Sequence, residues 1–250
     1  MPRYRLTVEY DGGPYVGWQR QLNGPSIQQS LEEAAFKLCG QDTRVQGSGR
    51  TDSGVHALGQ VAHLDLPKDY GADTVLKALN AYLRPQPISI RAVQEVSDDF
   101  HARFSAIERS YLYRILNHTA HPALEEGRVW WLTKPLDAEA MHAAAQVFLG
   151  QHDFTSFRAA ECQSDSPVKS ITEITVTRTG DEIRLFARAR SFLHHQIRNF
   201  VGTLAMVGDG RWTAEDVKQA LDARDRAAAG PTAPPQGLYF LAARYPEETP

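Results

Sequence analysis

Cysteine is nearly missing from this chain. There are 2 in 250 residues, Cys39 and Cys162. That is too few for a thiolate zinc site or a disulfide framework, and it fits a reducing compartment. Long apolar runs are missing too. No stretch approaches a membrane span, and no apolar signal segment follows Met1-Pro2-Arg3-Tyr4-Arg5. The expectation is a cytoplasmic protein with no membrane partner. An excess of charge is also lacking: 27 Lys and Arg stand against 30 Asp and Glu, for a net charge of -3. Any contact with nucleic acid must therefore come from a local patch. No Walker loop and no dinucleotide loop opening a helix is found. His56 and His63 lack the spacing of a zinc-binding helix, and no carboxylate cluster lies near them, so no metal site is expected.

What the chain does have is Gly47-Ser48-Gly49-Arg50-Thr51-Asp52-Ser53-Gly54-Val55-His56-Ala57. Glycine loses the most backbone freedom on folding, so a segment this rich in it is costly to order. A tight turn between two strands is the plain reading. A turn, however, has no use for Arg50 two residues from Asp52, with His56 just beyond. A lone aspartate at a strand end can act as a nucleophile, a general base or a metal ligand.

The order of elements reads as α/β (α+β). Tyr4, Leu6, Val8 and Tyr10 alternate with polar residues and predict a strand. Ser26 caps a helix over 27–38. Strands follow from Val45 into the glycine segment and over 55–66, then a helix over 73–83 and a strand over 88–96. This is a split βαβ pattern, in which two helices cover one face of an antiparallel sheet. The second half predicts a strand over 111–116, a helix over 137–148, a hairpin of 169–178 and 182–190, helices over 193–207 and 213–223, and a last strand over 238–245. Two related ferredoxin- or RRM-like halves are expected, an N-terminal domain over 1–104 and a C-terminal one over 105–250. The 230–235 loop is expected to be ordered by packing.

Residues 183–208 contain no Asp or Glu. Arg184, Phe186, Arg188 and Arg190 share strand parity, so they face one way, while Leu185, Ala187 and Ala189 face the other. Arginines and a ring on one sheet face suit RNA, and a solvated strand face is the bland alternative. His194 and Arg198 are four apart and would share a helix face. Tyr111 and Tyr113 share a strand face that reads equally as core edge or base-stacking platform. Trp18-Gln19-Arg20 has a similar aromatic and cationic character, whereas Trp130 and Trp131 read as core or domain-junction residues. An RNA-binding module, a metal-free nucleic-acid enzyme and a structural subunit all remain open. A pure binder has no use for Asp52 beside phosphates, which favours an enzyme.

Six words in order carry a resemblance over essentially the whole chain: Tyr10-Asp11-Gly12 with Gly17-Trp18-Gln19-Arg20, Gly49 to Ala57, Phe100-His101-Ala102-Arg103-Phe104, Arg109-Ser110-Tyr111-Leu112-Tyr113, Ser191 to Asn199, and Ala233 to Leu238. The sequence resembles the bacterial tRNA pseudouridine synthase A family. The resemblance implies the fold of that family, two antiparallel-sheet halves joined across a central cleft. It also implies an isomerase acting on uridines 38, 39 and 40 of the tRNA anticodon stem-loop. A homodimer with tRNA bound across both subunits is implied, with neither cofactor nor metal. Asp52 is then the essential aspartate and Arg50 holds the target nucleotide out of its stack. Tyr111 lies against the uracil and is a candidate for handling the C5 proton. Arg198 pairs with Asp52, and Leu238 lines the pocket. Trp18, Arg20, His56, Arg184, Arg188, Arg190 and His194 are further candidates for binding substrate.

Overall fold

The computed structural model describes residues 1–246 as a mixed α+β protein in two compact units. The first holds Met1–Ile107 and residues 239–246; the second holds Glu108–Leu238.

In the first unit, β1 (Arg3–Tyr10) runs between two antiparallel neighbours, β3 (His56–Asp65) and β4 (Ile88–Val96). Tyr4, Leu6, Val8 and Tyr10 are buried as their alternation requires. The short β2 (Gln46–Gly47) lies antiparallel on β3. The strand expected from Val45 is thus only two residues long, and the glycine segment leaves it as a loop. Two helices supply the other side of the core. α1 (Ile27–Cys39) starts at Ser26, whose hydroxyl accepts the Gln29 N–H, and it buries Ile27, Leu31, Ala34 and Ala35. α2 (Ala72–Leu83) buries Val75, Leu79 and Leu83, and each such side chain contributes roughly 1.5–3 kcal/mol.

The second unit is built on β5 (Glu108–Asn117), β6 (Trp130–Leu132), α3 (Ala138–Ala145), β7 (Gly150–Asp153), β8 (Val168–Thr179), β9 (Glu182–Ala189), α4 (Gln196–Gly208) and α5 (Ala214–Ala223). Its strands lie in the order β5-β9-β8-β7, and β6 runs parallel to β5. The core centres on four rings. Phe148 stacks on Phe200 at 4.0 Å between centroids, with Phe154 and Phe157 packed around them. Thr213 closes a capping box with Asp216 at the start of α5. No helix among the described residues is long and apolar enough to cross a membrane.

Residues 105–250 do not all lie together. The last strand, β10 (Leu238–Arg244), pairs in parallel with β3, Tyr239 against His56 and Phe240 against Ala57, and so returns to the first unit. A parallel partner this distant in sequence leaves no local signal.

Candidate active site

The Asp52 loop is held on every side by groups that are themselves fixed. At its start the Ser48 N–H donates to the Val61 carbonyl, and the Ser48 hydroxyl donates to Gln60 Oε1 at 2.6 Å. Gln60 Nε2 returns to the Gly49 carbonyl at 2.9 Å. In the middle, the Thr51 carbonyl accepts the Trp18 N–H at 3.0 Å, and Thr51 Oγ1 lies 2.8 Å from the Tyr10 hydroxyl. Burial pushes the Tyr10 phenol up to about 12, so it stays a neutral partner. Beyond Asp52 the chain turns, with the Val55 N–H donating to the Asp52 carbonyl and Gly54 at φ +76°. That φ is the glycine requirement of the turn. The β1 end presses against it: a Cβ on Gly12 would fall 2.0 Å from the Val55 carbonyl oxygen. Asp52 itself is half-buried, and Arg50 is exposed.

The second unit gathers a different set. Tyr111, on β5, is half-buried and meets Phe192 edge-on at 5.1 Å. Two residues along, Tyr113 is fully buried and donates to the Pro234 carbonyl at 2.7 Å. Burial raises its phenol well above the ordinary value, and the Arg198 charge offsets part of that. Arg198 is fixed by the same loop: its Nε donates to the Ala233 carbonyl at 2.8 Å, and its carbonyl accepts the Ala233 N–H. Thr232 and Arg226 reach Asn199 Oδ1, and Thr203 Oγ1 accepts the Gly230 N–H. The 230–235 loop is thus ordered by packing on α4, as expected, and leads to the buried Leu238.

The sequence model of a family described as tRNA pseudouridine synthase matches residues 6–105 and 144–246. Over 249 residues the chain is 72% identical to tRNA pseudouridine synthase A of Rhodospirillum rubrum, covering 100% of this chain and 90% of that one. It is 60% identical to that of Rhodospirillum centenum over 245 residues, covering 98% and 100% of the two chains. With Maricaulis maris the figures are 59% over 246 residues, covering 98% and 99%. The chain belongs to the tRNA pseudouridine synthase family.

The structure places the remaining candidate residues in different surroundings. Trp18 is 2% exposed and packs beside Tyr10, so it supports the Asp52 loop from within. His56 is equally buried. Its Nδ1 accepts the Gly12 N–H at 3.1 Å, and its ring stacks on Tyr239 at 4.8 Å. Both are parts of the scaffold. Arg20 is exposed, pairs with Glu32 at 3.2 Å, and lines an open groove of about 880 Å³ with Phe36, Lys37 and Arg44.

On β9 the alternation holds, with Ile183, Leu185, Ala187 and Ala189 buried and Arg184 exposed; the strand ends at Ala189, so Arg190, also exposed, lies in the bend just beyond it rather than on the strand. The basic face, however, is not purely basic. Glu182 takes Arg184 at 2.9 Å and Arg114 at 2.6 Å, bridging two arginines that lie directly opposite across β9 and β5. Burial would raise the Glu182 carboxyl, but the hydrogen bonds from Arg184 and Arg114 bring it down to about 2. Arg188 pairs with Glu173 across the strand and stands 3.5 Å from Glu108. Those carboxylates come from residues outside the acid-free run. His194 and Arg198 do not share a helix face, because α4 begins only at Gln196. His195 takes a left-handed conformation at φ 63°, and the exposed His194 precedes it.

The sequence reading missed the polar clamp of Tyr10, Thr51 and Gln60, and the tie from Tyr113 to Pro234. Tyr10 ends an alternating strand and Tyr113 shares parity with Tyr111, so each left a signal of burial. Neither left a signal of its partner.

Proposed function

We propose that this chain converts uridine to pseudouridine at positions 38, 39 and 40 of the tRNA anticodon stem-loop, with Asp52 as the catalytic carboxylate. The observation that carries the reading is the clamp on the Asp52 loop in a chain of this family. A short polar segment is fixed by hydrogen bonds at Ser48, Gly49 and Thr51, those at Ser48 and Thr51 buried, and turned at Gly54, leaving a half-buried aspartate among fixed neighbours. Positioning of this kind supplies a large share of catalytic power.

The reaction breaks the C1′–N1 bond, turns the uracil and joins C1′ to C5. Atoms are conserved, so neither water nor a redox partner is consumed. An ionised Asp52 serves by attack at the sugar or by removing a sugar proton towards a glycal. Arg198 is the cation that the resemblance assigns to it; an opposite charge favours the ionised form. The target base must leave its stack, and Arg50 holds it out. Tyr111 stacks on the uracil, offsetting about 1–3 kcal/mol of that cost, and Leu238 supplies an apolar wall. Arg184, Arg188 and Arg190 add salt-sensitive phosphate contacts. The same reading takes the two halves as split βαβ units and the working form as a cytoplasmic homodimer, which light scattering would test.

Asp52→Asn should abolish conversion of unmodified tRNA, as read by chemical mapping of pseudouridine, while tRNA binding persists. Conversion at the rate of the unaltered protein would refute the role of Asp52.

A further inference from the structure

The word Phe100-His101-Ala102-Arg103-Phe104 has no part in the chemistry above, yet it forms one of the most tightly determined turns in the first unit. The N–H groups of four successive residues each find an acceptor. That of His101 goes to Ser105 Oγ, that of Ala102 to His63 Nδ1, and those of Arg103 and Phe104 to His101 Nδ1. The Ala102 carbonyl accepts the Tyr245 hydroxyl at 2.7 Å. Because His101 Nδ1 accepts two N–H groups, its proton sits on Nε2, which donates to Gln46 Oε1 at 3.0 Å. Burial, helped by the charges of Arg3 and Arg103, lowers the His101 pKa and keeps this ring neutral.

This scaffold presents an apolar ring to solvent. Phe104 is 75% exposed, with the His101 ring tilted beside it at 4.4 Å and the Arg103 guanidinium 5.7 Å from its centroid. A single exposed phenylalanine needs no explanation by itself. One held by a fully bonded turn, between an imidazole and a guanidinium, is preorganised. Residues 100–107 carry no carboxylate, and the Arg3 guanidinium, paired with Asp65, donates to the backbone carbonyls of Asp98 and Phe100 just before them. An exposed ring beside the Arg103 guanidinium suits a partner that offers flat faces and negative charge together, as a nucleic acid does.

We propose that Phe104, with Arg103, is a stacking platform for an unpaired base of the tRNA outside the reacting nucleotide. The ring takes the base, and the guanidinium takes the adjoining phosphate or stacks in turn. Its position fits. His101 is bonded to Gln46, which lies six residues before Asp52, so the Gln46 and Asp52 Cα atoms are at most ~20 Å apart. The platform and the catalytic loop can hold one RNA molecule at two points. This inference rests on the function proposed above.

The test is the affinity of the full-length protein for an unmodified tRNA transcript at fixed salt. Phe104→Leu keeps an apolar side chain but loses the aromatic face; Phe104→Trp keeps and enlarges the face. Leucine should raise the dissociation constant and KM together by about tenfold, as expected for one lost base stack, and tryptophan should restore both. Thermal midpoints of the two variants serve as the folding control. Unchanged affinity in Phe104→Leu overturns the platform. So does a loss of affinity that comes with a changed oligomeric mass, since the ring would then be covered by a second copy of the chain. If the unaltered protein neither binds tRNA nor forms pseudouridine, the reading of function fails first, and this inference goes with it.

Discussion

At Ser48, Gly49 and Thr51 the Asp52 loop is held by backbone groups and neutral side chains, among them Gln60, Tyr10 and the Val61 carbonyl. On β9 the partners are carboxylates, with Glu182 and Glu173 taking up the arginines that the strand presents. The first arrangement fixes a backbone. The second fixes side chains and cancels much of the field they would cast. A catalytic group needs placement within a fraction of an ångström, whereas a phosphate contact needs only charge near a surface. The roles proposed for the two regions call for those different tolerances.

The largest effect should come from disturbing the clamp without touching Asp52. In Gly12→Ala the new Cβ would stand 2.0 Å from the Val55 carbonyl oxygen, so the loop must move. A displacement near 1 Å is expected to lower turnover by on the order of a hundredfold, with tRNA binding retained. Turnover within twofold of the unaltered protein would show that the clamp is dispensable. A smaller effect is expected on β9. Arg188→Gln should weaken tRNA binding only a few-fold and flatten the salt slope by less than about one unit, since Glu173 already occupies that guanidinium. Glu173→Gln should tighten binding. A loss well beyond tenfold in Arg188→Gln would erase the contrast, because it would mean that Arg188 exchanges its carboxylate for phosphate.

The smallest effect concerns acid. Burial, with a lesser push from His101 and Arg3, lowers His63 from 6.5 to about 4. The unfolded chain therefore takes up this proton first, and stability falls as pH drops from about 6.5 towards 4. Glu182 behaves otherwise. Held down to about 2, it stabilises the fold at every pH above 4.5 and loses that contribution only as pH falls from 4.5 towards 2. Between pH 7.5 and 5.5, amide protection factors, corrected for the slowing of intrinsic exchange, should fall in β1 and β3 before β8 and β9. His63→Gln should narrow the difference. An equal fall in both units would remove His63 as its source.

Much of this was legible in the chain. Ser26 and Thr213 cap the helices they precede, because a side-chain oxygen at that place satisfies an open N–H. Alternation from Tyr4 to Tyr10 and from Ile183 to Ala189 gave the buried faces correctly. The glycines marked the Asp52 loop, whose turn takes Gly54 at positive φ. What stayed hidden depends on partners remote in sequence. The three-residue β6 and four-residue β7 are too short for alternation to register, and β10 joins β3 across more than half the chain. Trp18 and His56 look like surface ligands by type, yet their partners Tyr10, Gly12 and Tyr239 draw them inside. The acid-free run hid Glu173 and Glu108 for the same reason: charge balance on a sheet is struck between strands.

The return of β10 to the first unit has a consequence for biosynthesis. Tyr239 covers His56, and His56 in turn holds Gly12 against the end of the Asp52 turn. While the ribosome is still making the second unit, that cover does not yet exist. The half that begins first is therefore finished last, and a nascent chain halted before residue 239 carries every residue of the Asp52 loop without the piece that locks it.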